Sequence, residues 1–282
     1  MSSTVVAGLD GSAAATDAVE WAAQEAASRA LPLRLLHVWN SAVAPFGHTP
    51  AAVAKRLDAV AEGLRAAHPG LEVTAEGVPG HPAAELCAAS GGADLLVLGF
   101  GGANRLTRRP AASVVRAVLA RAEGPLVLVS GAGAGRAGTG DARASKPCPA
   151  QSEVVLGLDA SRPCDEVIRY AFEAAAAHGA ALRVVHGGNP PESAAAEANG
   201  ADEVLRLWRE RFPTVPVRTE CVVGRPVDHL VDASADASMV VVGRRIRRAG
   251  RPGNSVRTAS VGPVTRGVLH RAARVTVVVS HR

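Results

Sequence analysis

Asp94-Leu95-Leu96-Val97-Leu98-Gly99-Phe100-Gly101-Gly102, returning through Ala112-Ser113-Val114-Val115 to Val118-Leu119, is the stretch on which the fold turns. Four consecutive apolar residues bounded by loop residues suit a strand buried on both faces. The glycines that follow let the backbone turn sharply and come close to a ligand. Ser113 is expected where the next helix starts, its hydroxyl and the unpaired amides of the first turn facing one hollow, a cradle for phosphate.

Working outward, four more apolar runs alternate with helical patterns. Val5 to Asp10 reads as a buried strand that ends in a turn carrying a carboxylate, followed by helical spacing from Thr16 to about Arg29. Leu33 to Trp39 is a second strand, Ala51 to Ala67 a helix, Glu72 to Glu76 a third strand, Pro82 to Ala89 a short helix, and Leu126 to Val129 a fifth strand. This alternation predicts one parallel, doubly wound sheet with helices on both faces.

The unit then repeats. Asp159 follows Asp10, and His186 follows His37, at an offset of 149; Gly224-x-Pro226 follows Gly80-x-Pro82 at 144; Val264 follows Val114 at 150. The second copy is therefore five residues shorter in its middle and six longer after its fourth strand. Two α/β domains are expected, residues 1–131 and 152–282, joined by a Gly/Ala/Pro-rich linker over residues 132–151. The linker contains a formal G-x-G-x-x-G at Gly133, Gly135 and Gly138, but no amphipathic helix follows, so it is not read as a dinucleotide fingerprint.

Composition narrows the function classes. Of 282 residues 48% are hydrophobic and 20% charged, as in a folding, soluble chain. Aromatics are 3%, which leaves the cores to Val, Leu and Ala and weakens base stacking as a recognition mode. No apolar segment approaches the roughly 20 residues of a membrane span, and Met1-Ser2-Ser3-Thr4 lacks the basic start of a signal peptide, so a cytoplasmic location is expected. Cys87, Cys148, Cys164 and Cys221 have no metal-ligand spacing and are expected to be reduced, with Cys87 and Cys221 as packing residues.

Ten of the 31 basic residues, and none of the 26 acidic ones, lie between Gly243 and the end. The insertion from Arg244 to Arg257 reads first as a solvated loop. It reads second as an anion binder, and nucleic acid is its least supported partner because aromatics and a groove-reading motif are missing.

In order, Val-Val-x-Gly-x-Asp-Gly-Ser from Val5, Leu-His-Val-Trp from Leu36, Asp-Leu-Leu-Val-Leu-Gly from Asp94 and Ser-Val-x-Arg-Ala-Val-Leu from Ser113 resemble the universal stress protein family in its tandem, two-domain form. The resemblance covers nearly everything outside the linker. It implies two five-stranded parallel sheets of the adenine-nucleotide alpha-hydrolase-like class and a non-enzymatic stress-response role; some members of the family bind ATP and others do not, and in a binding member the first domain would take ATP or AMP, with Mg accompanying ATP. Nucleotide-binding members carry Gly-x-x-Gly, nine residues, then Gly-Ser or Gly-Thr. Here Gly99 and Gly102 match the first two glycines, Ala112 stands at the third, and Ser113 matches the hydroxyl. The implied nucleotide site is Gly8, Asp10, Val38, Gly99, Gly102, Ala112, Ser113 and Val114, with Val38 meeting adenine through its backbone. If the Ala112 position needs a positive φ, alanine there costs roughly 1 kcal/mol; if it needs only closeness, the added methyl crowds a phosphate oxygen. In the second copy Gly243 remains, but Ile246, Pro263 and Gly187 replace the second glycine, the hydroxyl residue and the adenine-facing valine, so that half is read as degenerate.

Beside these stand plainer assignments. Asp10 is taken as a ligand contact and Asp159 as a partner of a local helix-start amide. His37 and His186 are read as satisfied core histidines. Ser90-Gly91-Gly92-Ala93-Asp94 echoes a pyrophosphatase phosphate loop but precedes its strand, so the match is discounted. No nucleophile stands with a base and no catalytic motif occurs, which leaves a slow ATPase a distant third reading. The rival to nucleotide sensing is a ligand-independent scaffold in which the domains, or two chains, pair through Leu126 to Val129 and Val275 to Val279, apolar edges otherwise unprotected.

Overall fold

The computed structural model describes residues 3–39, 50–100, 110–130, 153–188, 191–249, 256–271 and 275–281. Gly101, Gly102 and the linker lie outside these. The chain divides into two compact units, Met1–Ser145 and Lys146–Arg282.

The first unit runs β1 (Val5–Gly8), α1 (Ala13–Ser28), β2 (Leu33–Trp39), α2 (Pro50–Ala67), β3 (Val73–Pro79), α3 (Pro82–Ser90), β4 (Leu95–Phe100), α4 (Pro110–Arg121) and β5 (Leu126–Ser130). Its strands are parallel in the order β3-β2-β1-β4-β5. The second unit runs β6 (Glu153–Leu158), α5 (Asp165–Ala177), β7 (Ala181–Gly188), α6 (Pro191–Arg211), β8 (Val217–Val223), α7 (Pro226–Ala233), β9 (Ala237–Ala249), β10 (Val256–Ser260), α8 (Pro263–Arg271) and β11 (Val275–His281). Its parallel order is β8-β7-β6-β9-β11, the same arrangement, with β10 added antiparallel to β9. The duplication holds at the level of register: Leu96 pairs with Leu126, and their counterparts Val240 and Thr276 pair likewise.

Helices cover both faces. Gly8 and Gly99 lie on opposite faces by alternation. A Cβ at Gly8 would meet Leu98 and Leu86 of α3, whereas one at Gly99 would meet the backbone of α1. In the second unit Gly157 approaches Leu230 of α7 and Gly243 approaches Val167 of α5. Alanines let the helices sit close: Ala15, Ala18, Val19, Ala22, Ala23 and Ala26 form the buried stripe of α1.

Several boundaries differ from the sequence expectation. The Ser12 hydroxyl accepts from the Ala15 amide at 3.2 Å, so α1 begins at Ala13 rather than Thr16. Strand β3 continues past Glu76 to Pro79 because it stays in register with β2 as far as Trp39. Helix α4 starts at Pro110, since proline at the first helical position has the right φ and no amide to satisfy. Ser113 is thus the fourth helical residue and not the cap. Of the Arg244 to Arg257 insertion, expected as a loop, residues 244–249 form the carboxyl end of β9 and Val256 and Arg257 open β10, while residues 250–255 lie outside the described residues.

Candidate functional site

In the first unit β1 is the strand from which the order grows in both directions, to β2 on one side and β4 on the other. In open α/β sheets the crevice at the carboxyl ends beside such a reversal is where ligands bind. Gly8 pairs with both Leu36 and Leu98, which brings the ends of β1, β2 and β4 together.

The β1 end turns by a local device. Asp10 is exposed, and its Oδ1 accepts from the Ser12 amide at 2.9 Å. Gly11 supplies the φ of +82° that the turn requires. Ser12 then caps α1, and the Thr16 hydroxyl donates to the Ser12 carbonyl at 3.2 Å. The His37 ring holds the turn from the other side, its Nδ1 donating to the Leu9 carbonyl at 2.6 Å while the ring stacks with Trp39. His37 is therefore a structural residue of this mouth.

Strand β2 outruns β1. The Leu9 amide donates to the Leu36 carbonyl at 2.9 Å, so Leu36 faces β1, and by alternation so does Val38. β1 has already turned away at that level. The Val38 amide and carbonyl are thus directed over the carboxyl end of β1.

Strand β4 corrects two expectations. Gly99 lies within the strand, not in a loop. A Cβ there would stand 2.4 Å from the Ala14 carbonyl carbon and oxygen and 2.5 Å from the Ala15 amide nitrogen. Gly99 is glycine because the first turn of α1 crosses it, and close approach to a ligand is not what demands it. Ala112 lies inside α4, and among the described residues the one non-glycine with positive φ is Ala30. The backbone cost foreseen at Ala112 does not arise. The unpaired amides at the start of α4 belong to Ala111 and Ala112, since Pro110 has none. Val114 follows as a half-buried helix residue. Gly102 lies outside the described residues, as do the side chains of Ala112 and Ser113.

In the second unit, Asp159 builds the same turn: its Oδ1 accepts from the Ser161 amide at 3.2 Å and hydroxyl at 2.6 Å. Both aspartates thus make the local bond expected of Asp159, and Asp-x-Ser, Asp10-Gly11-Ser12 in the first unit and Asp159-Ala160-Ser161 in the second, is the sequence signal for it. Helix α5 starts differently. Its cap residue, Cys164, makes no side-chain cap bond; the thiol donates instead to Glu166 at 3.0 Å. Burial, reinforced by that bond, pushes the Cys164 thiol up to about 11. The same bond holds the Glu166 carboxyl below the usual range.

The fourth-strand end differs most. Phe100, 4% exposed and paired with Ser130, is replaced by Arg244, 2% exposed and paired with Ser280. The Arg244 guanidinium donates to the Ser280 hydroxyl, and the Thr265 hydroxyl of α8 donates to the Gly243 carbonyl at 2.9 Å. No cluster of three or more His, Cys, Asp or Glu able to hold a metal occurs among the described residues. None of their helices is long and apolar enough to cross a membrane.

A family model described as "Universal stress protein family" matches residues 1–130 and 152–280. The chain is 31% identical over 305 residues to Universal stress protein Rv2005c of Mycobacterium tuberculosis (strain ATCC 25618 / H37Rv), covering 99% of this chain and 97% of that one. It is 30% identical over 269 residues to Universal stress protein Rv2623 of the same strain, covering 86% of each. The crystal structure of a universal stress protein from Archaeoglobus fulgidus DSM 4304 superposes with a TM-score of 0.72 at 17% identity over 98% of both chains, a likeness of fold.

Proposed function

Because this chain belongs to the universal stress protein family, in tandem form, we propose that it is a cytoplasmic, non-enzymatic stress-response protein whose first unit senses an adenine nucleotide, ATP or AMP. The observation that carries this reading is the pairing of Gly8 with both Leu36 and Leu98, which gathers the Asp10 turn, the Val38 backbone edge and the end of β4 at one crevice.

In that crevice the Val38 backbone would take the adenine edge and the Asp10 carboxylate a ribose hydroxyl. The Ala111 and Ala112 amides at the positive end of α4, with the Ser113 hydroxyl and the glycine segment through Gly102, would take phosphate. Mg would arrive with the triphosphate, held by its oxygens. The second unit offers no counterpart: Gly187 stands for Val38 and Pro263 for Ser113, and the fourth-strand end is filled by Arg244.

Titration calorimetry of the full chain with ATP and with AMP tests the proposal. Heat is expected in the wild type. Ser113→Ala should weaken affinity about tenfold by removing one hydrogen bond to a charged group, and Gly102→Val should do so by crowding the loop. Absence of heat at millimolar nucleotide would remove the sensing role and leave the fold.

The second reading, a scaffold independent of nucleotide, is favoured by the position of β5 and β11. Within its own unit each is the last strand of the order, and each is apolar. Pairing through these edges, within a chain or between two, predicts a compact particle in solution scattering. Two independent beads would count against it.

A further inference from the structure

Beyond the nucleotide reading, we propose that the β9–β10 hairpin of the second unit is a binding arm for double-stranded nucleic acid, gripping the phosphate backbone. Strand β9 pairs with β6 as far as Val241 and with β11 as far as Arg245. Beyond that, among the described residues, it pairs with β10 alone, Arg247 with Thr258, Arg248 with Arg257 and Ala249 with Val256. A two-stranded antiparallel ribbon thus runs on past the sheet.

Register fixes what the ribbon carries. Arg248 and Arg257 are directly opposed and share one face; Arg245 and Arg247 share the other, opposite Ser260 and Thr258. Like charges directly opposite each other destabilise a strand pair. Such a pair is best placed where anions neutralise it, and no acidic residue occurs from Gly243 to the end of the chain.

The ribbon supplies the groove-fitting element that the arginine run alone lacks. A duplex major groove admits a two-stranded β-ribbon, and arginines on both faces suit an element lying between two rows of phosphates. From Gly243 onward there is no Phe, Trp or Tyr, so nothing can stack on unpaired bases, which argues against a single strand. The same lack of aromatics, with only Ile246 and Val256 as large apolar residues of the ribbon, argues against insertion into a lipid surface.

The test is fluorescence anisotropy of the full chain with a labelled mixed-sequence DNA duplex of roughly 20 base pairs, between about 50 and 200 mM salt. Binding is expected at the low end, falling linearly on logarithmic axes. Replacing Arg247, Arg248 and Arg257 by Gln should shrink the salt slope by about 2 to 3, at roughly 0.9 per phosphate contact, and weaken binding at least about tenfold at low salt. The same three changed to Lys should keep most of the affinity, and the single change Arg248→Glu should lose it; an unaltered melting curve certifies each fold. The proposal is overturned by no binding at low salt or by a Gln variant that binds as well as wild type. It is equally overturned by tighter binding of the single strand, or by arginine-dependent binding of phosphatidylserine vesicles without binding of duplex.

Discussion

The two units are copies whose agreement and disagreement fall in different places. At the amino side and along the sheet they agree down to single bonds. Arg34 bonds Glu76 across β2 and β3 at 2.6 Å, and the counterparts Arg183 and Glu220 bond across β7 and β8 at 2.6 Å. The first helix ends by the same backbone pattern in each, Leu31 amide to Ala26 carbonyl and Ala180 amide to Ala175 carbonyl, both at 2.9 Å. At the carboxyl end of the fourth strand they part. Phe100 becomes the buried Arg244, and β9 runs on to Ala249 in a pairing with β10, whereas the residues directly after Phe100 lie outside those described. A shared frame thus carries two different mouths, and the difference in function is sought at the mouths.

The largest effect expected from this comparison is at the fourth-strand glycines. Gly99→Ala must displace the backbone of α1 and should destabilise by about 3 kcal/mol, the upper range of overpacking. At Gly243 the nearest atoms are side-chain atoms of His281, at 3.1 and 3.2 Å, and of Val167, at 3.3 Å. Side chains can give, so Gly243→Ala should cost less than about 1 kcal/mol. Denaturant unfolding measures both, and equal losses would show the helix approach to be no tighter in the first unit.

Next in size is the turn after the first helix, where Ala30 sits at φ 52° and its counterpart Gly179 at φ 58°. Ala30→Gly should stabilise and Gly179→Ala destabilise, each by about 1 kcal/mol, because only glycine adopts this conformation without strain. Changes of the same sign at both sites would break the equivalence of the two turns.

At the helix start peculiar to the second unit, the raised thiol of Cys164 keeps its proton through pH 8, and alkylation by iodoacetamide should be slow. Glu166→Gln replaces a charged acceptor by a neutral, weaker one and removes the neighbouring negative charge, both of which hold the thiol up, so the rate at pH 8 to 9 should rise several-fold. The smallest effect is at the repeated ion pair. Arg34→Ala and Arg183→Ala should each cost less than about 1 kcal/mol, since both pairs are partly exposed.

The fold was legible where hydrophobic period and punctuation agree. Leu33–Trp39 stands as read because the run is apolar and the loop before it is closed by Pro32. Register with β2, not local propensity, carries β3 through Gly77, Val78 and Pro79, so its end could not be seen in the chain alone. Ser113 resembles a cap, but the start signal of α4 is Pro110 at its first position, so Ser113 falls a full turn inside the helix. The hairpin was illegible for a stronger reason: an arginine-rich run has no alternation of polar and apolar residues, and pairing with β10 is what extends β9. At the site, Gly99 was visible as a glycine that matters, but only the crossing of α1 explains why.

Native mass spectrometry of the full chain in ATP tests most directly the claim that the first mouth binds nucleotide and the second does not. Asparagine keeps the oxygen that holds each aspartate turn while removing its charge, so Asp10→Asn and Asp159→Asn can be compared without breaking either turn. One nucleotide per chain is predicted, lost in Asp10→Asn and retained in Asp159→Asn. No nucleotide at all, two per chain, or equal loss in both variants would contradict it.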